Sequence, residues 1–184
     1  MDTTFPKAYE CEELTELPQP ALLPHYYYPG ATVGNGRDGL LVEVRPEGKQ
    51  SWNGTFAFSQ IVPKGTSGIF STPDPKRVCI AAKGAGYLVS AMEPTSWELV
   101  RATPLIDVRP VGVRGIIVFA SFTNLVAYGA TGIIWRTKRL AWSNLKITEV
   151  TDEIIKGVFW DIRSEANAEF VVDLATGTNI GGIE

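Results

Sequence analysis

Four stretches decide the fold: LLVEVRPEGKQSW (40–52), VCIAAKGAGYLV (78–89), LVAYGATGIIW (125–135) and FVVDLATGTNIGG (170–182). Each reads as an apolar run, a short polar break with a glycine, and a second run. Their β-branched and aromatic residues suit a pleated, half-buried surface. A glycine at the break suits a tight reversal, because antiparallel hairpins often need positive φ there. Aligned on Gly48, Gly86, Gly132 and Gly177, the stretches recur every 38, 46 and 45 residues, which suggests a unit of roughly 45 residues.

Between them lie TFAFSQIV, GIFST, GYLVSA, GIIVFAS, GIIWRT, LKITEV and GVFWDI, again short runs bounded by Gly, Pro, Asn and Asp. No window sustains the i, i+3, i+4, i+7 spacing of a long amphipathic helix. YECEELTEL and TDEIIKG are the only helical candidates, both short. Trp97-Glu98-Leu99 and Trp142-Ser143-Asn144-Leu145 follow two of the glycine turns.

From about residue 40 to 184 the pattern resembles β-propeller repeats of the form strand, Thr-Gly turn, strand, Trp. It lacks a blade-ending Trp-Asp, a Gly-His pair and a double-glycine signature; Trp160-Asp161 opens a unit rather than closing one. The expected fold is all-β, with about four short blade-like antiparallel units forming a small or partial propeller. A twisted β-sandwich is the alternative.

Residues 1–39 read as a separate arm packing on the repeat domain of residues 40–184. Pro18, Pro20, Pro24 and Pro29 remove amide donors and disfavour a long helix or a central strand there. The outer units are incomplete, so the arm or a second subunit is expected to cover their edges.

Composition narrows the function classes. Of 184 residues, 45% are hydrophobic and 20% charged, enough for a packed core. With 17 basic against 20 acidic side chains the net charge is −3, so no overall field draws the chain to nucleic acid or an anionic membrane. Cys11 and Cys79 are too few for a disulfide scaffold, and the N-terminus lacks the basic and apolar regions of a signal peptide. No apolar run reaches bilayer length, so a cytoplasmic protein without membrane contact is expected.

Site motifs are sparse. GNGRDG (34–39) has dinucleotide-loop spacing, but a proline-rich segment precedes it and a strand follows, so a turn is expected. His25 is the single histidine, which leaves no metal site without both distant cysteines. His25, Tyr26, Tyr27 and Tyr28 form an aromatic cluster that either stacks on a ligand or anchors the arm. In WRTKRLAW, Trp135, Arg136, Lys138 and Arg139 alternate aromatic and basic character, as single-strand nucleic-acid binders do. If GIIWRT is a strand, however, Trp135 faces inward and Arg136 outward, which favours an acidic ligand or partner over nucleic acid.

The carboxylates Asp74, Asp107, Asp152, Glu153, Asp161, Glu169 and Asp173 are scattered, with Asp74 in TPDPKR a turn former. Asn53-Gly54-Thr55 is a glycosylation sequon with no role in a cytoplasm. Nucleophile elbow, P-loop and HExxH are absent. The expectation is a non-enzymatic interaction module that binds a protein partner or a second copy, with no cofactor and no metal. The alternatives are a small-molecule or carbohydrate binder, or a hydrolase using the carboxylates, with Tyr26–Tyr28, Trp52, Trp135 and Trp160 lining its pocket. Nucleic-acid binding through WRTKRLAW stands behind both.

Overall fold

The computed structural model describes residues 1–17, 22–33, 38–60 and 65–183. Seventeen strands appear among these residues, in four sheets. The first sheet holds β1 (Tyr9–Leu14), β2 (His25–Tyr28), β3 (Thr32–Val33), β4 (Gly39–Pro46) and β5 (Trp52–Ala57) in the order β1-β4-β5-β2-β3. The second holds β6 (Gly68–Ser71), β7 (Arg77–Ala82), β8 (Ala85–Ser90) and β9 (Trp97–Leu99) in sequence. The third is β10 (Asp107–Val111), β11 (Ile116–Ala120), β12 (Leu125–Gly129) and β13 (Gly132–Arg136). The fourth is β14 (Lys146–Val150), β15 (Ile154–Asp161), β16 (Ala166–Asp173) and β17 (Asn179–Gly181). The protein is all-β, built from four blade-like sheets, and no helix among the described residues is long and apolar enough to cross a membrane.

Three buried clusters place the sheets in chain order. Tyr28, Val42, Val44, Trp52 and Phe56 of the first sheet pack on Val78, Ile80, Tyr87 and Val89 of the second. Cys79, Ala81 and Leu88, on the other face of the second sheet, meet Ile117, Phe119, Val126 and Tyr128 of the third. The opposite face of the third, with Val118, Ala127 and Trp135, meets Ile155, Phe159, Phe170 and Val172 of the fourth. No buried cluster among the described residues joins the fourth sheet to the first.

Burial follows directly. β11 is buried at every position and β7 at all but Arg77, because both faces of their sheets are covered. β4 and β15 alternate, because each has one uncovered face.

Two indoles pin neighbouring sheets. Trp52 Nε1 donates to the Ala91 carbonyl at 2.9 Å, and Trp135 Nε1 donates to the Leu174 carbonyl at 2.8 Å. Each bond spans 39 residues, so the same latch recurs at the first and third junctions.

The repeat period is shorter than the glycine alignment suggests. The second-position strands β4, β7, β11 and β15 begin at Gly39, Arg77, Ile116 and Ile154, which are 38, 39 and 38 residues apart. Gly48 sits in the middle hairpin of its sheet, whereas Gly132 and Gly177 sit between third and fourth strands. The alignment therefore matched different hairpins. Gly86 is not a turn residue either: it lies inside β8, where a Cβ would come within 2.9 Å of Val100 and 3.0 Å of Leu105. The β7–β8 reversal is made by Lys83 and Gly84, both at positive φ as a two-residue hairpin requires.

Both helical candidates are strands. Tyr9–Leu14 is β1, and Ile154 and Ile155 begin β15. Antiparallel pairing with β4 in the first case and alternating burial in the second won over helix propensity, as tertiary pairing commonly does for short segments. The proline-flanked HYYY segment is an internal strand, β2, parallel to β5, with Pro24 and Pro29 just outside it. Pro24 bounds the strand while its carbonyl still accepts the Asn53 N–H of β5 at 2.8 Å, a bond that needs no proline amide.

Gly157 is where the fourth sheet closes on itself. A Cβ there would stand 2.1 Å from Phe170 Cζ and 2.6 Å from the Lys146 carbonyl oxygen. Gly157→Ala should lower unfolding free energy by about 3 kcal/mol through overpacking, read as a shift in urea midpoint. An unchanged midpoint would contradict this packing of Phe170.

Candidate functional site

The structure divides the WRTKRLAW residues into three groups. Trp135 is buried, with its ring against Gly177, whose own Cβ would lie 2.7 Å from Trp135 Cδ2. It belongs to the core and offers no surface for stacking a base. Arg139 folds back on its own loop: its guanidinium donates to the carbonyls of Ala141 and Trp142 and lies 4.8 Å over the Trp142 ring. Arg136 and Lys138 remain exposed, because Thr137 between them turns inward and its hydroxyl accepts the Leu125 N–H.

Arg136 and Lys138 line a cleft of about 440 Å³ whose other wall is Thr176, Gly177, Thr178 and Asn179. That wall is the β16–β17 turn, and its shape is fixed from within. Asp173 Oδ1 accepts the N–H groups of Ala175 and Thr176 and the Thr176 hydroxyl, and Gly177 takes a φ of 72°. Those hydrogen bonds, the Thr176 hydroxyl first, hold the Asp173 carboxyl below its usual range. All three of these bonds converge on Oδ1.

A third basic residue touches the cationic wall through its backbone. The Arg136 guanidinium donates to the Arg101 carbonyl, and Arg101 is itself exposed. The Arg101 N–H donates to Tyr128 Oη at 3.1 Å, which ties this loop to the third sheet. Arg101, Arg136 and Lys138 are absent from every ion pair among the described residues. By contrast Arg45, Arg77, Arg109 and Lys156 each have a carboxylate. Arg101 escaped the sequence reading because it lies 35 residues from Arg136 and only the fold brings them together.

The aromatic cluster splits by strand alternation. Tyr28 is fully buried, stacked on Phe56 at 4.5 Å between ring centres, and its hydroxyl donates to the Pro94 carbonyl. Tyr26 packs edge-on against Trp52. His25 and Tyr27 lie on the opposite, outer face, with their rings stacked at 4.3 Å and His25 Nε2 2.8 Å from Thr55 Oγ1. They border a shallow hollow with Leu41, Asp38 and Thr15. In register beside His25, Asn53 is 2% exposed and its Oδ1 has no hydrogen-bond partner.

Of the aromatics expected to line one pocket, Tyr26 and Trp52 border a small hollow with Pro24, Met92 and Pro94, and the others are not brought to it. Tyr28, Trp52 and Trp135 are core residues, and Trp160 stands half-exposed on the outer face of the fourth sheet. Asn53 and Thr55 of the sequon are both buried in β5.

Residues 34–37 of GNGRDG lie outside the described residues. Asp74 forms its turn, accepting the Lys76 N–H, and Asp161 does the same for Arg163 and Ser164. Cys11 and Cys79 are both free; burial pushes the Cys11 thiol up to about 12 and raises Cys79 as well. No group of three or more His, Cys, Asp or Glu with metal-binding geometry occurs among the described residues.

The fold and the cleft thus define a stack of blade-like sheets with a cationic notch on one side. In comparisons of sequence the chain matches no protein-family model, and no curated relative is found.

Desolvation lowers the pKa of His25 from its ordinary 6.5. The folded state therefore prefers neutral imidazole, and the stability this preference contributes is present above pH 6.5 and is lost as pH falls through the folded value. Because His25 is the only histidine, His25→Gln should flatten the loss of stability between about pH 7 and 5. Urea midpoints at the two pH values test this, and an identical slope in both proteins would contradict it.

Proposed function

We propose that the chain is a non-enzymatic interaction module that docks an acidic segment of a protein partner in the cleft between its third and fourth sheets. One observation carries this reading: two cations without carboxylate partners among the described residues, Arg136 and Lys138, line one notch of a chain whose net charge is −3. Isolated surface cations cost nothing to leave unpaired. A cluster of like charges repels itself, and a docked carboxylate relieves that repulsion.

The wall opposite the cations supports the same reading. Thr176, Gly177 and Thr178 line it with backbone groups and with hydroxyls that hydrogen-bond within the turn. Such a surface suits a polar, charged contact that is wet at its rim. Arg136 supplies a planar donor fork suited to a carboxylate, and Lys138 a mobile point charge.

Charge reversal tests it. The Arg136→Glu/Lys138→Glu variant should fold normally, since both side chains are exposed, and should bind a Glu-rich peptide at least tenfold more weakly than wild type at low salt. Raising the salt concentration should weaken the wild-type complex. Equal binding by variant and wild type, measured by fluorescence anisotropy, would sink the proposal.

A further inference from the structure

Among the described residues, the edge of the third sheet beside this cleft differs from the other sheet edges in what it exposes. An open edge strand exposes unpaired N–H and C=O groups, and proteins normally blunt it with charge, proline, brevity or a covering segment. Each such device is present here. β1 carries Glu10, Glu12 and Glu13, and β14 carries Lys146 and Glu149. β10 contains Pro110, and β6 is covered where Asp2 bridges Phe70. β3, β9 and β17 are only two or three residues long.

β13 has no proline and, among the described residues, no covering segment, and its one charge is Arg136 at its end. It is five residues long, it ends the third sheet, and it exposes two adjacent isoleucines, Ile133 at 43% and Ile134 at 53%. A bulge opposite Ala127 and Tyr128 sets Ile134 outside the regular register. No fifth strand pairs with β13 among the described residues, although the first sheet has one in β3.

Register tells which groups are open. The Thr137 N–H bonds inward to the Leu125 carbonyl, and Arg136, one residue earlier, pairs with Val126. Alternation in an antiparallel ladder therefore turns the N–H and C=O of Arg136 outward. The residue whose guanidinium lines the cleft thus also offers backbone hydrogen bonds to an added strand.

The geometry points to β13 as a strand-addition site, on which an extended acidic segment of the partner pairs edge to edge. Its alternate side chains would meet Ile133 and Ile134, and its carboxylates would meet Arg136 and Lys138. This inference rests on the acidic docking proposed above and adds to it the backbone geometry of the contact. The occupant is an acidic, β-prone peptide, because the exposed charges at this edge are cationic and the side chains beyond them are aliphatic.

Three peptides test it with the full chain. The parent is a labelled decapeptide alternating Glu and Val; the other two carry N-methyl groups on its even or its odd residues. N-methylation removes the N–H donors of one edge and leaves charge and side chains intact. Strand addition predicts that one N-methylated peptide binds at least tenfold more weakly while the other stays close to the parent. It also predicts that the Arg136 amide becomes protected from hydrogen exchange in the parent complex. Equal binding by all three with an unchanged Arg136 amide overturns strand addition and leaves acidic docking standing. No binding by the parent overturns both.

Discussion

Everything in this molecule depends on apolar sheet faces being covered by the next sheet along the chain. A single four-stranded sheet with an apolar face is not stable alone, and stacking neighbours buries a continuous core. The second and third sheets are covered on both sides, so their central strands tolerate almost no polar residue. The first and fourth are covered on one side, and their outer faces carry Glu43 and Arg45, or Lys156 and Glu169. These polar faces resemble the caps that end a stacked array, although Trp160 and Ile180 leave the fourth sheet more apolar than the first.

The same constraint explains how the cleft arises. Trp135 must lie in the third junction, and its latch to Leu174 draws the β16–β17 turn against the end of β13. Alternation then throws Arg136 to the surface beside that turn, and Thr137 pulls the chain back in before Lys138 emerges. The cationic notch is thus a by-product of a structural tryptophan, and its two walls are held rigidly by the core. A site with such support presents its charges with little entropy left to lose on binding.

Much of this was legible in the sequence. The unbroken runs VCIAA and IIVFA against the alternating LLVEVR already separate doubly covered strands from singly covered ones. The inward Trp135 and outward Arg136 follow from strand period alone. Other features were not legible, for physical reasons. Hairpins of different position share the same Gly-containing turn chemistry, so an alignment on glycines mixed second-third with third-fourth reversals, and the eight-residue β15 and β16 lengthened the Gly132–Gly177 interval beyond the strand repeat. HYYY between prolines gives no local sign that it pairs in parallel with a strand 28 residues away, as His25 does with Asn53. The hydrogen bond from the Arg136 guanidinium to the Arg101 carbonyl is likewise a long-range fact.

The account stands or falls on the order of stacking. Native-state hydrogen exchange read by mass spectrometry measures it most directly, since amides in the most deeply covered strands open only with global unfolding. The stacking described here requires the slowest exchange in peptides covering residues 77–90 and 116–129, the central strands of the second and third sheets. Peptides covering residues 39–57 and 154–173 should exchange faster. If those end sheets proved as slow as the middle pair, the fourth and first sheets would have to be covered too, and the open stack would be wrong.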